Sequence, residues 1–188
     1  PLNGIIGLLQ IDDAHPSDVA LLTANREKMK VAANHLLSLI NDVLQMSKLE
    51  SGEITLAHEP LDLNRLLRDI LTIVEQRAAE AGVALEYDRR QFERMKPDCV
   101  YGSPLHLRQV FLNILDNAAK HGGTGRRIDA SLTREGTVQV VRVRDYGPGV
   151  PAAELPYVKQ KFYKGSSKAR GSGIGLALVD SIMTALDG

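Results

Sequence analysis

The stretch Leu112-Asn113-Ile114-Leu115-Asp116-Asn117-Ala118-Ala119-Lys120-His121 sets two amides, an amine and an imidazole among apolar residues. On a helix, Asn113 and Asn117 fall four apart on one face, and Lys120 with His121 extends that face at its C-terminal end. Such a strip suits a metal-bound triphosphate. An amide oxygen can ligate Mg²⁺, which keeps several waters and takes few protein ligands, and the Lys120 ammonium can neutralise phosphate charge. The plainer alternative is a solvated helix face. That fits Lys120 and His121 better than two paired asparagines of modest helix propensity.

Two glycine clusters follow: Asp145-Tyr146-Gly147-Pro148-Gly149 at the end of an expected strand, and Gly171-Ser172-Gly173-Ile174-Gly175-Leu176 at the start of an expected helix. Glycines let backbone approach a ligand closely. A helix N-terminus adds unpaired N–H groups and a positive dipole end, which favour phosphate. A dinucleotide fingerprint would need glycine where Leu176 stands and a strand immediately upstream, and the Gly-Lys-Ser/Thr of a P-loop is absent. Each cluster taken alone is also compatible with a surface turn.

These groups need elements to position them. Leu22, Met29, Leu36 and Val43 recur every seven residues, with Asn25, Ala32, Leu39 and Met46 three further on, and Ala33 and Ile40 widening the stripe. This predicts a helix from about residue 18 to 49, with Ser17 as N-cap and Asp18 favouring its positive end. The apolar start (Leu2, Ile5, Ile6, Leu8, Leu9 and Ile11) is its nearest partner but too short to cover the seam, so a dimeric four-helix bundle is expected. Beyond it the pattern alternates. Ile54–Leu56, Val83–Tyr87 and Cys99–Tyr101 read as strands, and Asp62 caps a helix that stops at Gly82. Ser103-Pro104 opens a helix to about Lys120. Ile128–Thr133 and Val138–Val143 form a hairpin around Glu135-Gly136, and Gly173–Leu186 closes as a helix. Mixed order with a hairpin indicates an α+β sandwich rather than a doubly wound parallel sheet.

Composition narrows the class. Among 188 residues, Lys plus Arg and Asp plus Glu are 23 each, so no net field draws the chain to nucleic acid or anionic membrane. The single Cys99 excludes an internal disulfide framework and a cysteine metal cage. No apolar run approaches a membrane span and no signal peptide opens the chain, so a cytoplasmic protein without membrane contact from this segment is expected. Residues 1–86 hold none of the eight Phe and Tyr residues and four of the 16 glycines. Two kinds of structure share one chain.

The order Asn113-x3-Asn117-x2-Lys120-His121, Asp145-x-Gly147-x-Gly149, Phe162, and Gly171-x-Gly173-x-Gly175 resembles the N, G1, F and G2 boxes of bacterial two-component sensor histidine kinases. Leu36 to Gly52 is similar to the second helix of their dimerisation and histidine-phosphotransfer domain, and Pro1-Leu2-Asn3 to the tail of their H-box. The resemblance covers nearly the whole chain. It implies a phosphotransfer hairpin over 1–52, homodimeric and antiparallel, followed over 53–188 by a histidine-kinase-type α/β sandwich that binds ATP or ADP with Mg²⁺.

By that resemblance Asp145 accepts a hydrogen bond from the adenine amino group, and Gly147 and Gly149 let backbone close over the base. Asn117 ligates Mg²⁺, Asn113 lies close to the triphosphate, and Lys120 and His121 reach phosphate or ribose. Asn113, Asn117 and Lys120 form the catalytic set. Residues 150–170 become an ATP lid, with Phe162 in its F-box, Lys159 where an aromatic often sits, and Lys164, Lys168 and Arg170 as phosphate contacts. Gly171, Gly173, Gly175 and Leu176 form its hinge and the phosphate-facing helix start. Related ATPases carry Glu at position 113 as base for water. Asn113 cannot take a proton, which favours transfer to a protein side chain over hydrolysis. None of His15, His35, His58, His106 or His121 stands in H-box context, so the phosphoacceptor is expected upstream of Pro1, with an aspartate of a response-regulator receiver domain as the next acceptor. The family's final strands are expected beyond Gly188. Two other readings stay open: a dimeric scaffold with a degenerate nucleotide site that docks a receiver domain, and a serine kinase of the anti-sigma type.

Overall fold

The computed structural model describes residues 1–88, 99–121, 125–166 and 171–188. The chain divides into two compact units, Pro1–Ser47 and Lys48–Gly188. The first is a helical hairpin of α1 (Leu2–Ala14) and most of α2 (Val19–Glu50). The helix starts one residue later than the sequence suggested. Asp18, not Ser17, is the cap: its Oδ1 accepts from the Leu21 N–H at 2.9 Å, because it stands directly before Val19 while Ser17 lies in the turn. Leu22, Met29, Ala32, Leu36 and Leu39 are half-buried along the expected seam, and only Asn25 and Met46 are fully buried on α2. Ala33, Ile40 and Val43, expected in the stripe, are exposed. Asn25 is 1% exposed and donates through Nδ2 to Asp12 Oδ1 at 2.7 Å, which ties α2 to α1.

The second unit is built from β1 (Glu59–Asp62), α3 (Leu63–Glu80), β2 (Ala84–Glu86), β3 (Cys99–Gly102), α4 (Pro104–His121), β4 (Arg127–Glu135), β5 (Val138–Asp145) and α5 (Gly175–Ala185), with a short 3₁₀ turn at Leu155–Tyr157. Asp62 caps α3 as expected, its Oδ1 accepting from Arg65 N–H at 3.0 Å, and Gly82 takes a left-handed φ of 71° just after the helix. The strand expected at Ile54–Leu56 is absent, and residues 59–62 form β1 instead. The four-residue β3 pairs Glu59–Asp62 in antiparallel register, leaving 54–56 without a ladder. Pro60 is tolerated because both strands of a two-stranded sheet are edges.

The main sheet has order β2-β4-β5, with β2 parallel and β5 antiparallel to β4. Alternation along β4 sends Ile128, Ala130 and Leu132 inward and Arg127, Asp129, Ser131 and Thr133 outward. Helix α4 packs against α3, α5 and β5, and contributes Leu107, Val110, Phe111, Leu115 and Ala118 to the core. From α3 come Leu66, Leu67, Ile70, Leu71 and Val74, and from α5 Ala177, Leu178 and Ile182. Burying this apolar side leaves the polar face of α4, with its asparagines, available to a ligand. The start of α4 is fixed by a buried pair, Ser103 Oγ with His106 Nδ1 at 2.7 Å. Burial lowers the His106 pKa below the usual histidine range. No helix among the described residues is long and apolar enough to cross a membrane.

Candidate functional site

The asparagine strip and the second glycine cluster meet. A Cβ added to Gly175 would lie 3.8 Å from Asn117 Nδ2 and 3.9 Å from Asn113 Cγ, so the first turn of α5 sits against both amides. Both asparagines are half-buried on α4. The hydroxyl of Ser172 accepts from the Ile174 N–H at 3.2 Å, and α5 has no side-chain cap at Ile174. The start of α5 thus brings its positive dipole end close to the amide pair, a setting that suits phosphate.

The first cluster abuts the C-terminal end of α4, one turn beyond Asn117. A Cβ on Gly147 would stand 2.3 Å from the His121 carbonyl oxygen, so only glycine fits. Gly147 N–H donates to Asp145 Oδ1 at 3.0 Å, which orients the carboxylate and leaves its other oxygen without a partner among the described residues. Asp145 is exposed at the end of β5, and Gly149 is left-handed with a φ of 73°. An acceptor atom of this kind, held by its own turn, can receive an amino group.

Between the clusters runs 150–166. Phe162 is left-handed, with a φ of 64°, and 62% exposed. Gly173, with a φ of 71°, lies against it: a Cβ there would be 2.6 Å from the Tyr163 carbonyl oxygen and 2.7 Å from the Phe162 carbonyl carbon. Glu154 accepts from the Ser166 N–H at 3.1 and 3.2 Å, closing this segment on itself, and Tyr157 and Tyr163 lie 5.8 Å apart. Burial, with the Glu154 charge second, raises the Tyr163 phenol above its ordinary pKa. Lys159 binds Asp180 on α5 at 2.7 Å, and Lys161 binds Glu50 at 2.6 Å.

Asn113 and Asn117 thus lie against Gly175, His121 lies against Gly147 beside Asp145, and Phe162 lies against Gly173. Lys120 is exposed at the end of α4, His121 contributes its carbonyl, and Leu176 is 38% exposed on the first turn of α5. Lys164 is exposed, and a Cβ on Gly171 or Gly149 would meet open space. Lys168 and Arg170 lie outside the described residues. The contacts of Ser172, Glu154, Lys159 and Lys161 lie outside what the motifs imply. For Ser172 the Gly-Ser-Gly spelling was a usable cue, since a serine two residues ahead of a helix start can hold an N–H there.

The fit to a magnesium-bound nucleotide can be judged on these contacts. Two amides against the first turn of α5, a helix start with no side-chain cap at Ile174, and a carboxylate with one oxygen held by its own turn present amide oxygen, positive dipole and acceptor in turn. Among the described residues no three His, Cys, Asp or Glu side chains converge as a metal site. A single amide ligand with waters suffices for Mg²⁺ held on phosphates.

Residues 102–188 match the family described as histidine kinase-, DNA gyrase B-, and HSP90-like ATPase. The signal transduction histidine-protein kinase BarA of Escherichia coli K12 is 29% identical over 199 aligned residues, covering 100% of this chain and 21% of that protein. The non-motile and phage-resistance protein of Caulobacter vibrioides is 32% identical, covering 100% of this chain and 23% of its own length. The chain spans about a fifth of the length of these relatives. In fold it is similar to the histidine kinase AdeS of Acinetobacter baumannii, with a TM-score of 0.73, 24% identity, and coverage of 98% of this chain and 84% of that one. With an ATPase-family match across α4 to α5 and sensor kinases aligned along its whole length, the chain is similar to the two-component sensor histidine kinases, and its second unit to their ATP-binding kinase core.

Proposed function

We propose that this chain binds Mg-ATP in its second unit and transfers the γ-phosphoryl group to a histidine preceding Pro1, for relay to an aspartate of a response-regulator receiver domain. The observation that carries the reading is the first turn of α5 seated against Asn113 and Asn117. The nucleotide supplies the phosphoryl group, and Mg²⁺ supplies charge neutralisation on it. The chain's residues bind and orient. Asn117 holds the metal through its amide oxygen, Asn113 lies beside the phosphates, and the N–H groups of α5 receive them. Lys120 and His121 sit at the phosphate or ribose end. Asp145 accepts from the adenine amino group, with Gly147 and Gly149 allowing the backbone close to the base. Lys164 on the lid reaches toward phosphate, the lid turning at Gly171 and Gly173, with Phe162 packing it and Leu176 lining the helix start. Asn113 has no proton-accepting oxygen of carboxylate basicity, which supports transfer to an imidazole over transfer to water.

The partners follow from the first unit. Its exposed Leu2, Ile6, Leu9, Val31, Leu37, Ile40, Val43 and Leu44 form more apolar surface than a lone hairpin buries, and a second copy of the chain covers it in an antiparallel four-helix arrangement. Residues 1–52 act as the dimerisation and phosphotransfer segment and 53–188 as the catalytic domain, working in the cytoplasm. Titrating ADP with Mg²⁺ into the chain by calorimetry tests the nucleotide reading. Saturable binding that is lost in Asn117→Ala plus Asp145→Ala supports it, and heat-silent mixing at millimolar ADP favours the degenerate scaffold.

A further inference from the structure

Tyr146 stands between the two residues that hold the base, yet nothing in the nucleotide reading uses its side chain. Its hydroxyl donates to Asp129 Oδ2 at 2.7 Å. The Arg127 guanidinium lies 5.4 Å and that of Arg144 5.1 Å from the ring centroid, within cation–π range on both counts. Asp129 is gripped by Arg127 through two bonds of 2.7 and 3.1 Å, and Arg127 also reaches Glu86 on β2 at 3.0 Å. Strand register explains the cluster. Asp129 opposes Arg144 across β4 and β5, and Arg127 and Tyr146 each lie two residues along, on the same outward face. The hydrogen bond raises the Tyr146 phenol and, with the Arg127 bond ahead of it, lowers the Asp129 carboxyl, as expected of a phenol donating to a carboxylate.

The backbone of this tripeptide is hemmed in as well. A Cβ on Gly125 would lie 2.1 Å from the Tyr146 carbonyl oxygen and 2.5 Å from its Cβ, and one on Gly147 would lie 2.3 Å from the His121 carbonyl oxygen. Asp145–Gly147 is therefore packed on both flanks, and the side chain is tethered to β4 and β5 and, through Arg127, to Glu86 on β2. Each tether is exposed and individually weak. Their joint effect is geometric, since they fix the orientation of the peptide units that carry the Asp145 carboxylate.

We propose that Tyr146 is a positioning residue: its ring, held among Arg127, Asp129 and Arg144, aims the Asp145 carboxylate and so sets the preference for adenine over guanine. The proposal rests on the reading of Asp145 as acceptor from the adenine amino group. Adenine offers an N–H donor where guanine offers a carbonyl oxygen, so a well-aimed carboxylate attracts one and repels the other. A carboxylate free to swing loses that contrast before it loses binding, because phosphate contacts at α5 remain.

The test is titration of ADP and of GDP, each with Mg²⁺, into the full chain and its variants. In Tyr146→Ala the ADP-to-GDP affinity ratio falls at least about fivefold, the loss of aim being worth about one charge-assisted hydrogen bond. Tyr146→Phe keeps the ring between the arginines, loses the Asp129 bond, and gives a smaller fall in the same direction. Arg142→Ala, whose guanidinium pairs with Glu135 and Thr133 further along the same strands, leaves the ratio unchanged. A lower ADP affinity with the ratio intact in both Tyr146 variants overturns the positioning role and leaves Tyr146 a structural residue. Unaltered affinity and ratio overturn it outright. If Tyr146→Ala does not fold, Tyr146→Phe alone decides by the same ratio. Failure of the unaltered chain to bind ADP overturns the adenine reading itself and the proposal with it, an outcome distinct from the others.

Discussion

The two units handle apolar surface in opposite ways. Of the buried apolar side chains among the described residues, Met46 alone belongs to 1–47; the rest, from Leu61 to Ile182, lie in the second unit. The first unit instead leaves Leu2, Ile6, Leu9, Ile11, Val19, Val31, Leu37, Ile40, Val43 and Leu44 in contact with solvent. A two-helix hairpin has only one inward line per helix, whereas helices against a sheet enclose a layer. The second unit can therefore be stable by itself and spend its exposed residues on a ligand. The first buries little apolar surface by itself. Concentration should govern one unit and nucleotide the other.

The largest effect expected from this contrast is on assembly. Ile40→Glu with Leu44→Glu should weaken self-association about 1,000-fold, from two apolar side chains withdrawn from an interface. Sedimentation equilibrium across a dilution series measures this, and ADP binding should persist in the dissociated chain. Next, Asp145→Ala should weaken ADP binding about 100-fold through loss of a charged acceptor, leaving association untouched; calorimetry of the variant beside ultracentrifugation separates the two. Gly173→Ala should destabilise the second unit by about 2 kcal/mol, since it combines a left-handed φ with a Cβ driven against the Phe162–Tyr163 backbone. Urea unfolding followed by tyrosine fluorescence reads this unit selectively, because all five tyrosines lie in it.

The smallest effect concerns pH. The folded chain holds the His106 pKa below its unfolded value. Its contribution is thus present above the unfolded pKa and declines as pH falls through that value toward the folded one. The melting temperature of the second unit should drop between pH 7.5 and 5.5, and His106→Gln should flatten part of that slope. An equal slope in the variant would remove His106 as the cause.

Local chemistry made much of this legible in the sequence. The Asp62 cap, the stop at Gly82 and the hairpin around Glu135-Gly136 depend on neighbours within a few residues, and each is present. The Asn113–Asn117 spacing needed only helical geometry to place both amides on one face, and the face meets α5. Ser17 and Asp18 competed for one cap, and proximity to Val19 decided it. Ile54–Leu56 has good strand composition, but a strand exists only with a partner, and β3 takes Glu59–Asp62. The Tyr146 cluster, Lys159 with Asp180, and Lys161 with Glu50 were out of reach for a different reason. Each joins residues brought together only by register or by the path of the loop after β5.

The Asn25–Asp12 contact has a consequence for recombination between related proteins. A helix pair held by apolar contacts alone can exchange one helix for a relative's and slide to a new fit. Here a nearly solvent-free amide needs a carboxylate at one height on the opposite helix, and an orphaned amide costs more than an ordinary apolar mismatch. Positions 12 and 25 therefore act as a matched key. Chimeras that exchange α1 without α2 should inherit a mismatch unless both positions travel together, which makes this pair a natural marker for choosing crossover points.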